Sequence, residues 1–400
     1  MKVLLIGPVT RDVGGTYTTG ICKVVWELSR QKADGIVYYV SSSNISDRNA
    51  KQLCEYPFQY NGYRWPVGRI LCDVIFHPFR TFNEMKYYKN VLHENPLKWE
   101  FYKANMIRDI KNVKPDLIHV HQSLSALYFA NTKHIPTIVT FHGVFYRGEP
   151  EQEYLKGHAW SMVDQSDFYT GLTTECERYM KNLFKIPSEK MTIIPNGTST
   201  DIYYYSPEQR SRLRSQFDVS DDTIVFITVA GLNERKGQYR FITKVLSKLD
   251  IDYKYWILGD GEDRKKIEGY VSEHNLGDKI KCMGKINSEE LYKYYSAADI
   301  YAHASKMEGQ ALCEMEAYAT GIRTIVNKDI RDTVMTGVDD ISKYTVIDFD
   351  DIDVDNLLKW IKLGNTNRQS RKDQTWNVIA EKYADFYRYV VAKTNMKEGR

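Results

Sequence analysis

Short apolar runs separated by stretches of helical period constrain this chain more than anything else in it. One series lies at residues 2–6, 35–41, 117–120, 137–141, 169–173 and 191–194, and a second at 223–229, 254–258, 280–282, 300–302, 324–326 and 344–347. Strands alternating with helices in this way predict parallel sheets covered by helices on both faces, a doubly wound α/β architecture. Between the series stands the turn Pro195-Asn196-Gly197, followed by an extended connection through 198–205, where the interdomain linker is expected. The expected divisions are 1–198, 199–375 and a closing helix at 376–400. In that helix Trp376, Ile379, Tyr383, Phe386 and Val390 recur at spacings of 3, 4, 3 and 4.

The most informative single stretch runs from Ala298 to Gly321. An apolar run around Ile300 gives way to a small-residue turn carrying Glu308-Gly309. Leu312, Met315, Glu316 and Ala319 then recur at helical spacing, and Gly321 sits where a helix would stop. Strand, glycine turn and helix together aim free backbone N–H groups and a positive dipole end at an anion. Glu308 before the helix and Glu316 about two turns inside it add carboxylates. The ligand that suits this mixture is part phosphate and part hydroxyl, as a nucleotide sugar is.

Glu308-x7-Glu316, set in Glu-Gly-Gln-Ala-Leu-Cys-Glu-Met-Glu-Ala, resembles the retaining GT-B glycosyltransferases of family 4 (glycosyl transferases group 1). The family run is Glu-Gly-Phe-Gly-Leu-Pro-x-x-Glu-Ala. This chain keeps Glu308, Gly309, Leu312, Glu316 and Ala317 and departs at Gln310, Ala311 and Cys313. Pro195-Asn196-Gly197 also stands where the family has it. The resemblance implies a GT-B fold, two Rossmann-like domains facing a central cleft with a C-terminal helix crossing back to the first. The N-terminal domain would bind the acceptor and the C-terminal domain the nucleotide sugar.

By the same resemblance, Glu308 binds sugar hydroxyls and the N–H groups of Gly309, Gln310, Ala311 and Leu312 meet phosphates and sugar. Glu316 takes the ribose diol, which suits an acceptor-only carboxylate. Gly284, Lys285 and Ile286 contact the base, and Lys236, in Glu-Arg-Lys-Gly, meets the pyrophosphate. The family Arg is replaced by Gly231, and Arg235 is the candidate to substitute for it. In the first half, Gly14-Gly15 would let backbone approach the donor phosphate or the acceptor closely, with Gly15 the donor-binding candidate. His142, in Thr-Phe-His-Gly, corresponds to a family His near the reacting carbon. The catalytic candidates are thus His142, Glu308 and Lys236. His119 and His121 are read as positioning or structural residues, and Glu175 as a weaker candidate for the same cleft.

No side chain stands out as a nucleophile. The resemblance implies transfer on the face of the leaving phosphate, with the protein supplying positioning and electrostatics. No Asp-x-Asp motif accompanies the donor stretch, so no metal and no cofactor is expected. The glycine opening lacks Gly-x-Gly-x-x-Gly, which speaks against a dinucleotide redox cofactor. The partners expected are a nucleotide-diphosphate sugar, UDP favoured over GDP, and a glycan or lipid-linked glycan acceptor of surface polysaccharide, lipopolysaccharide or capsule synthesis. Two alternatives stay open, a GT-B epimerase or phosphorylase and a non-catalytic GT-B binding subunit.

Composition sets the remaining bounds. The net charge of +3 divides as 24 Lys+Arg against 19 Asp+Glu in residues 1–200 and 31 against 33 in the remainder. That excess is too small and dispersed for nucleic acid, and it is compatible with a first half touching an anionic membrane surface. The six cysteines are scattered without a Cys-x-x-Cys pair, as reduced thiols are. With no run of membrane-span length and an opening too short for a signal peptide, a cytoplasmic protein is expected, in reach of the inner membrane face. Residues 55 to 105 interleave Tyr63, Arg64, Trp65, Arg69, Phe76, Phe79, Arg80, Tyr87 and Tyr88. That mixture suits either a lipid headgroup interface or helices burying their aromatics against the sheet.

Overall fold

The computed structural model describes residues 1–10, 19–42, 59–60, 67–91, 93, 95–121, 130, 135–143, 163, 166–336, 338, 341–364 and 368–397. Met1–Pro195 with Trp376–Arg400 forms one compact unit, and Asn196–Thr375 forms another.

The first unit carries β1 (Lys2–Ile6), β2 (Val37–Ser41), β3 (Gln59–Tyr60), β4 (Leu117–His121), β5 (Thr137–Phe141), β6 (Phe168–Gly171) and β7 (Met191–Ile193). They lie in the order β3-β2-β1-β4-β5-β6-β7, every pair parallel. Each residue of β4 and β5 is buried, because helices cover both faces and no side of these strands meets water. The run at 169–173 makes a shorter strand than its composition suggests. Thr173 is diverted to cap the next helix, its side chain accepting from the Cys176 N–H at 3.2 Å.

The second unit carries β8 (Ile224–Val229), β9 (Tyr253–Leu258), β10 (Ile280–Gly284), β11 (Ile300–His303), β12 (Arg323–Asn327) and β13 (Tyr344–Ile347). Their order is β10-β9-β8-β11-β12-β13, again all parallel. Two apolar clusters, one around Phe226, Phe241 and Tyr255 and one around Trp256, Tyr295 and Tyr301, fill the space beside this sheet.

The final helix, Trp376–Lys397, belongs to the first unit. It buries Trp376, Ile379, Tyr383, Tyr387 and Val390. Tyr387 meets Tyr38 edge-on at 6.4 Å, and Phe386 meets Phe168 at 6.3 Å. Two doubly wound parallel sheets with a closing helix returned to the first are the GT-B fold that the motifs imply.

Between β3 and β4 lie α1's later companions in the first unit. With α1 at Gly20–Arg30, these are α2 (Val67–Phe76), α3 (Pro78–Asn90) and α4 (Pro96–Val113). Proline opens α3 and α4 at the position where its missing N–H costs nothing. α4 buries Trp99, Met106, Ile110 and Val113, whereas α2 buries no residue. The aromatics of this stretch divide accordingly. Tyr88 is fully buried and stacks on Trp99 at 5.9 Å, while Phe76, Phe79 and Phe82 are 71%, 86% and 66% exposed. Tyr63, Arg64 and Trp65 lie outside the described residues.

Candidate functional site

In an open parallel sheet, ligands bind beyond the carboxyl ends of the strands where the strand order reverses. In the second unit that point lies between β8 and β11. The loop after β8 runs through Gly231 to Lys236, and the loop after β11 runs from Ala304 to Ala311. Asn233 shapes the first loop by capping the single turn Glu234–Lys236, its side-chain oxygen accepting from the Lys236 N–H at 3.0 Å. Gly237 closes the turn at φ +74°, and a Cβ there would stand 2.3 Å from the Ala304 carbonyl oxygen. Only glycine lets the two loops approach so closely. The Lys306 N–H donates to the Arg235 carbonyl at 2.8 Å, and the Arg235 guanidinium donates to the Met307 carbonyl at 2.9 Å.

This pairing brings three of the expected residues together. Lys236 Nζ lies 2.6 Å from Glu308 Oε1, and Arg235 lies 3.4 Å from Oε2. A residue not anticipated, His303 at the end of β11, places Nε2 4.0 Å from Oε1. The Glu308 side chain is 7% exposed. Burial pushes its carboxyl up, but His303 and Lys236 outweigh burial, and it ends well below the usual carboxylate range. Burial holds His303 below its ordinary value, against the pull of Glu308. Among the described residues, its buried Nδ1 has no hydrogen-bond partner. The site therefore presents an ionised carboxylate, an ammonium and a guanidinium at the switch point.

The helix Leu312–Ala319 follows directly. Ala311 stands at its N-cap with no side chain to accept from the first turn, so those N–H groups gain no side-chain cap. Gln310 has turned away from this role. Its side-chain oxygen accepts from the Asn196 backbone N–H at 2.6 Å, its carbonyl accepts from the Asn196 side-chain amide at 3.2 Å, and its own amide donates to the Thr336 carbonyl at 3.4 Å. The residue that departs from the family pattern is thus a buried strut between this loop and the chain at 196. Glu316 is buried, with the Tyr295 hydroxyl 3.4 Å from Oε2. Glu314 points elsewhere in the same helix, toward the Tyr344 hydroxyl at 3.2 Å, and burial lifts its carboxyl to about 8.

Gly284 ends β10 at φ +75°, and its carbonyl accepts from the Gly259 N–H at 2.8 Å. Lys285 and Ile286 follow it, Ile286 packing on the cluster that holds Tyr295 and partly buried Cys313. Gly231 is exposed, and a Cβ there would meet nothing nearer than 3.8 Å. Backbone geometry therefore does not demand glycine where the family has Arg.

The first unit places its histidines at the ends of β4 and β5. His119 Nδ1 lies 2.7 Å from the Tyr387 hydroxyl, and its Nε2 lies 2.7 Å from Thr140 Oγ1. Thr140 continues to Thr170 at 2.6 Å. His121 Nδ1 lies 3.0 Å from His142 Nε2, so one ring donates and the other accepts. Burial pushes His119 and His142 down to about 3 and holds His121 well below its ordinary value. Glu175 lies in the first turn of the helix Thr174–Asn182. Gly14 and Gly15 lie outside the described residues. Among the described residues, no group of three or more His, Cys, Asp or Glu is placed to hold a metal ion.

Residues 209–374 match the family model described as "Glycosyl transferases group 1", and residues 72–202 match "Glycosyltransferase Family 4". An alpha-monoglucosyldiacylglycerol synthase from Acholeplasma laidlawii is 25% identical over 244 residues, 56% of this chain and 61% of that protein. A UDP-Gal:alpha-D-GlcNAc-diphosphoundecaprenol alpha-1,3-galactosyltransferase from Escherichia coli is 23% identical over 231 residues, 54% of this chain and 59% of its own length. The chain spans 61%, 62% and 65% of the length of three curated relatives it matches. Among solved structures, sucrose-phosphate synthase from Thermosynechococcus elongatus superposes with a TM-score of 0.72 at 18% identity, covering 98% of this chain and 100% of that one. The Anabaena HepE protein in complex with UDP-glucose gives 0.64 at 18%, covering 99% and 98%. At these identities the structural likeness shows the fold.

Proposed function

The chain belongs to the glycosyl transferases of group 1 and family 4, and on that premise we propose that it is a retaining, metal-independent glycosyltransferase. It moves a hexose or N-acetylhexosamine from a nucleotide-diphosphate sugar, UDP rather than GDP, to a lipid-linked or polysaccharide acceptor of surface glycan synthesis. The observation that carries this reading is the buried Glu308 carboxylate held ionised by Lys236 and His303 at the switch point of the second sheet.

The roles follow from charge. Lys236 moves part of its bond from Glu308 to the diphosphate, whose charge grows as the sugar leaves, and Arg235 shares that load from the loop surface. Glu308, freed in part, accepts from sugar hydroxyls. The N–H groups of Gly309, Gln310, Ala311 and Leu312 add partial positive charge beside the phosphates. Glu316 accepts from the ribose, and Gly284, Lys285 and Ile286 take the base. His142, read on the family resemblance as serving the reacting sugar, is neutral at physiological pH and therefore acts as a hydrogen-bonding group and not as a proton carrier. The lipid acceptors named for the Acholeplasma and Escherichia relatives, and the UDP-glucose of the HepE complex, support the acceptor and donor classes. No described helix is long and apolar enough to cross a membrane, so work at the inner membrane face would be peripheral.

Incubation with a panel of UDP- and GDP-sugars without acceptor tests the proposal. Slow release of free sugar from a UDP-sugar, with the anomeric configuration kept and the rate unchanged by EDTA, is expected. Inverted product, loss of the rate in EDTA, or no release and no nucleotide binding would each overturn the corresponding part.

A further inference from the structure

The helical hairpin α2–α3 presents a face of exposed apolar residues. On α2, Val67, Leu71, Val74 and Ile75 recur at helical spacing and are 52%, 54%, 45% and 67% exposed. Phe76 stands at the bend, and Phe79 and Phe82 continue the row one turn apart on α3. Exposed Lys86 and Lys89 extend that same face of α3, four and seven residues beyond Phe82.

Charge is sorted across the hairpin. The only carboxylates in residues 67–91 are Asp73 and Glu84, and both turn inward. Lys103 of α4, with a side chain 3% exposed, pairs with Glu84, lies 2.5 Å from Glu100 and 3.7 Å from Asp73. Arg69 and Arg80 are engaged on that inner side too, 3.6 Å from Asp73 and 2.7 Å from Glu84. The inner face is thus a closed ionic strut that fixes the hairpin on α4. The outer face retains aromatics, aliphatics and two lysines, with no acid among them.

We infer that this outer face is a membrane anchor that seats on a bilayer with anionic headgroups. The Phe and Leu/Ile/Val row enters the boundary between headgroups and acyl chains, while Lys86 and Lys89 extend along it to lipid phosphates. Charge complementarity favours this occupant. A second copy meeting the face by two-fold symmetry would offer Lys86 and Lys89 no carboxylate, since Asp73 and Glu84 lie on the inner side of both copies. The inference deepens the membrane-surface part of the proposed function but rests on the hairpin alone. The cations that carry it differ from those nearest the aromatics in sequence, since Arg69 and Arg80 are already paired.

The full chain is tested by flotation with neutral phosphatidylcholine vesicles and with vesicles containing roughly a third phosphatidylglycerol. Binding to the anionic vesicles alone, weakened by salt, is expected. Each of Lys86→Gln and Lys89→Gln should weaken it about fivefold. Phe79→Ser with Phe82→Ser should weaken it at least about tenfold. All variants should keep the wild-type melting temperature and the wild-type rate of donor hydrolysis, which separates failure of the anchor from failure of the transferase reading. No binding, equal binding to neutral vesicles, or insensitivity to the Phe79/Phe82 change would overturn the inference. So would a dimer in solution that this double variant converts to monomer.

Discussion

The strand ends of the two sheets are built from opposite materials. In the first unit, His119, His121, His142, Thr140 and Thr170 form a neutral network, tied to Tyr387 of the closing helix. In the second, Glu308, Lys236 and Arg235 form an ionic group on two loops pressed together by Gly237. A neutral network holds geometry with every ring constrained and no charge to exchange. An ionic group of one acid and two bases has a cation to spare, and it can trade that partner for an incoming phosphate. Charge change is therefore tolerated in the second unit and not in the first.

The largest effect is expected at the cation. Lys236→Ala should lower turnover by roughly 10²- to 10³-fold, the loss of one transition-state donor. Arg235, 44% exposed and already bonded to the Met307 carbonyl, should cost less when replaced by Ala. Gly231 has room for a side chain, so Gly231→Arg should fold normally and restore turnover to the Arg235→Ala variant. Initial rates on the four proteins decide it. An Arg235→Ala enzyme as slow as Lys236→Ala would reverse the order.

Acid should separate the two units next. The histidines have folded values lowered from an ordinary 6.5, to about 3 for His119 and His142. A lowered folded value means that the unfolded chain takes up protons first. The stability these rings contribute is complete above 6.5 and is lost as pH falls from there toward 3. Glu308 is also lowered, from 4.5, so its contribution is complete above 4.5 and lost only below it. Hydrogen exchange at pH 5 should therefore show protection falling further around β4 and β5, where His119, His121 and His142 are all lowered, than at the end of β11, where His303 is the one lowered histidine. Equal loss in both units would erase the contrast.

A smaller effect is expected at the strut. Gln310→Phe restores the family residue but removes the acceptor of the buried Asn196 N–H. It should destabilise the second unit by about 1–3 kcal/mol in denaturant unfolding. An unchanged midpoint would mean that water or another group satisfies Asn196.

What could be read from residue order alone was whatever depends on local period and short motifs. β1, β5 and β13 emerge at residues 2–6, 137–141 and 344–347 because continuous apolar runs between helical segments leave little else to form. Glu308 and Lys236 were legible because glycine-bounded motifs mark them. His303 was not, since a single His closing an apolar strand looks like any core histidine until Glu308 folds back on it. Gln310 read as a departure from pattern, and its use as a strut depends on Asn196, which is 114 residues away. The bond from His119 to Tyr387 spans 268 residues and has no sequence signal. The two-residue β3 was too short to register, and the inward turn of Asp73 and Glu84 required Lys103 on another helix.

If the Glu308 loop and its helix hold a nucleotide sugar, the sugar lies at Glu308 and the ribose at Glu316. A contact made equally in ground and transition states shifts binding, whereas one that strengthens in the transition state shifts turnover. The most direct measurement is a titration of UDP, together with initial rates, on Glu308→Gln and Glu316→Gln. Near-normal UDP affinity and strongly reduced kcat are expected for Glu308→Gln, and weakened UDP binding for Glu316→Gln. Wild-type UDP affinity in Glu316→Gln together with full turnover in Glu308→Gln would contradict that assignment.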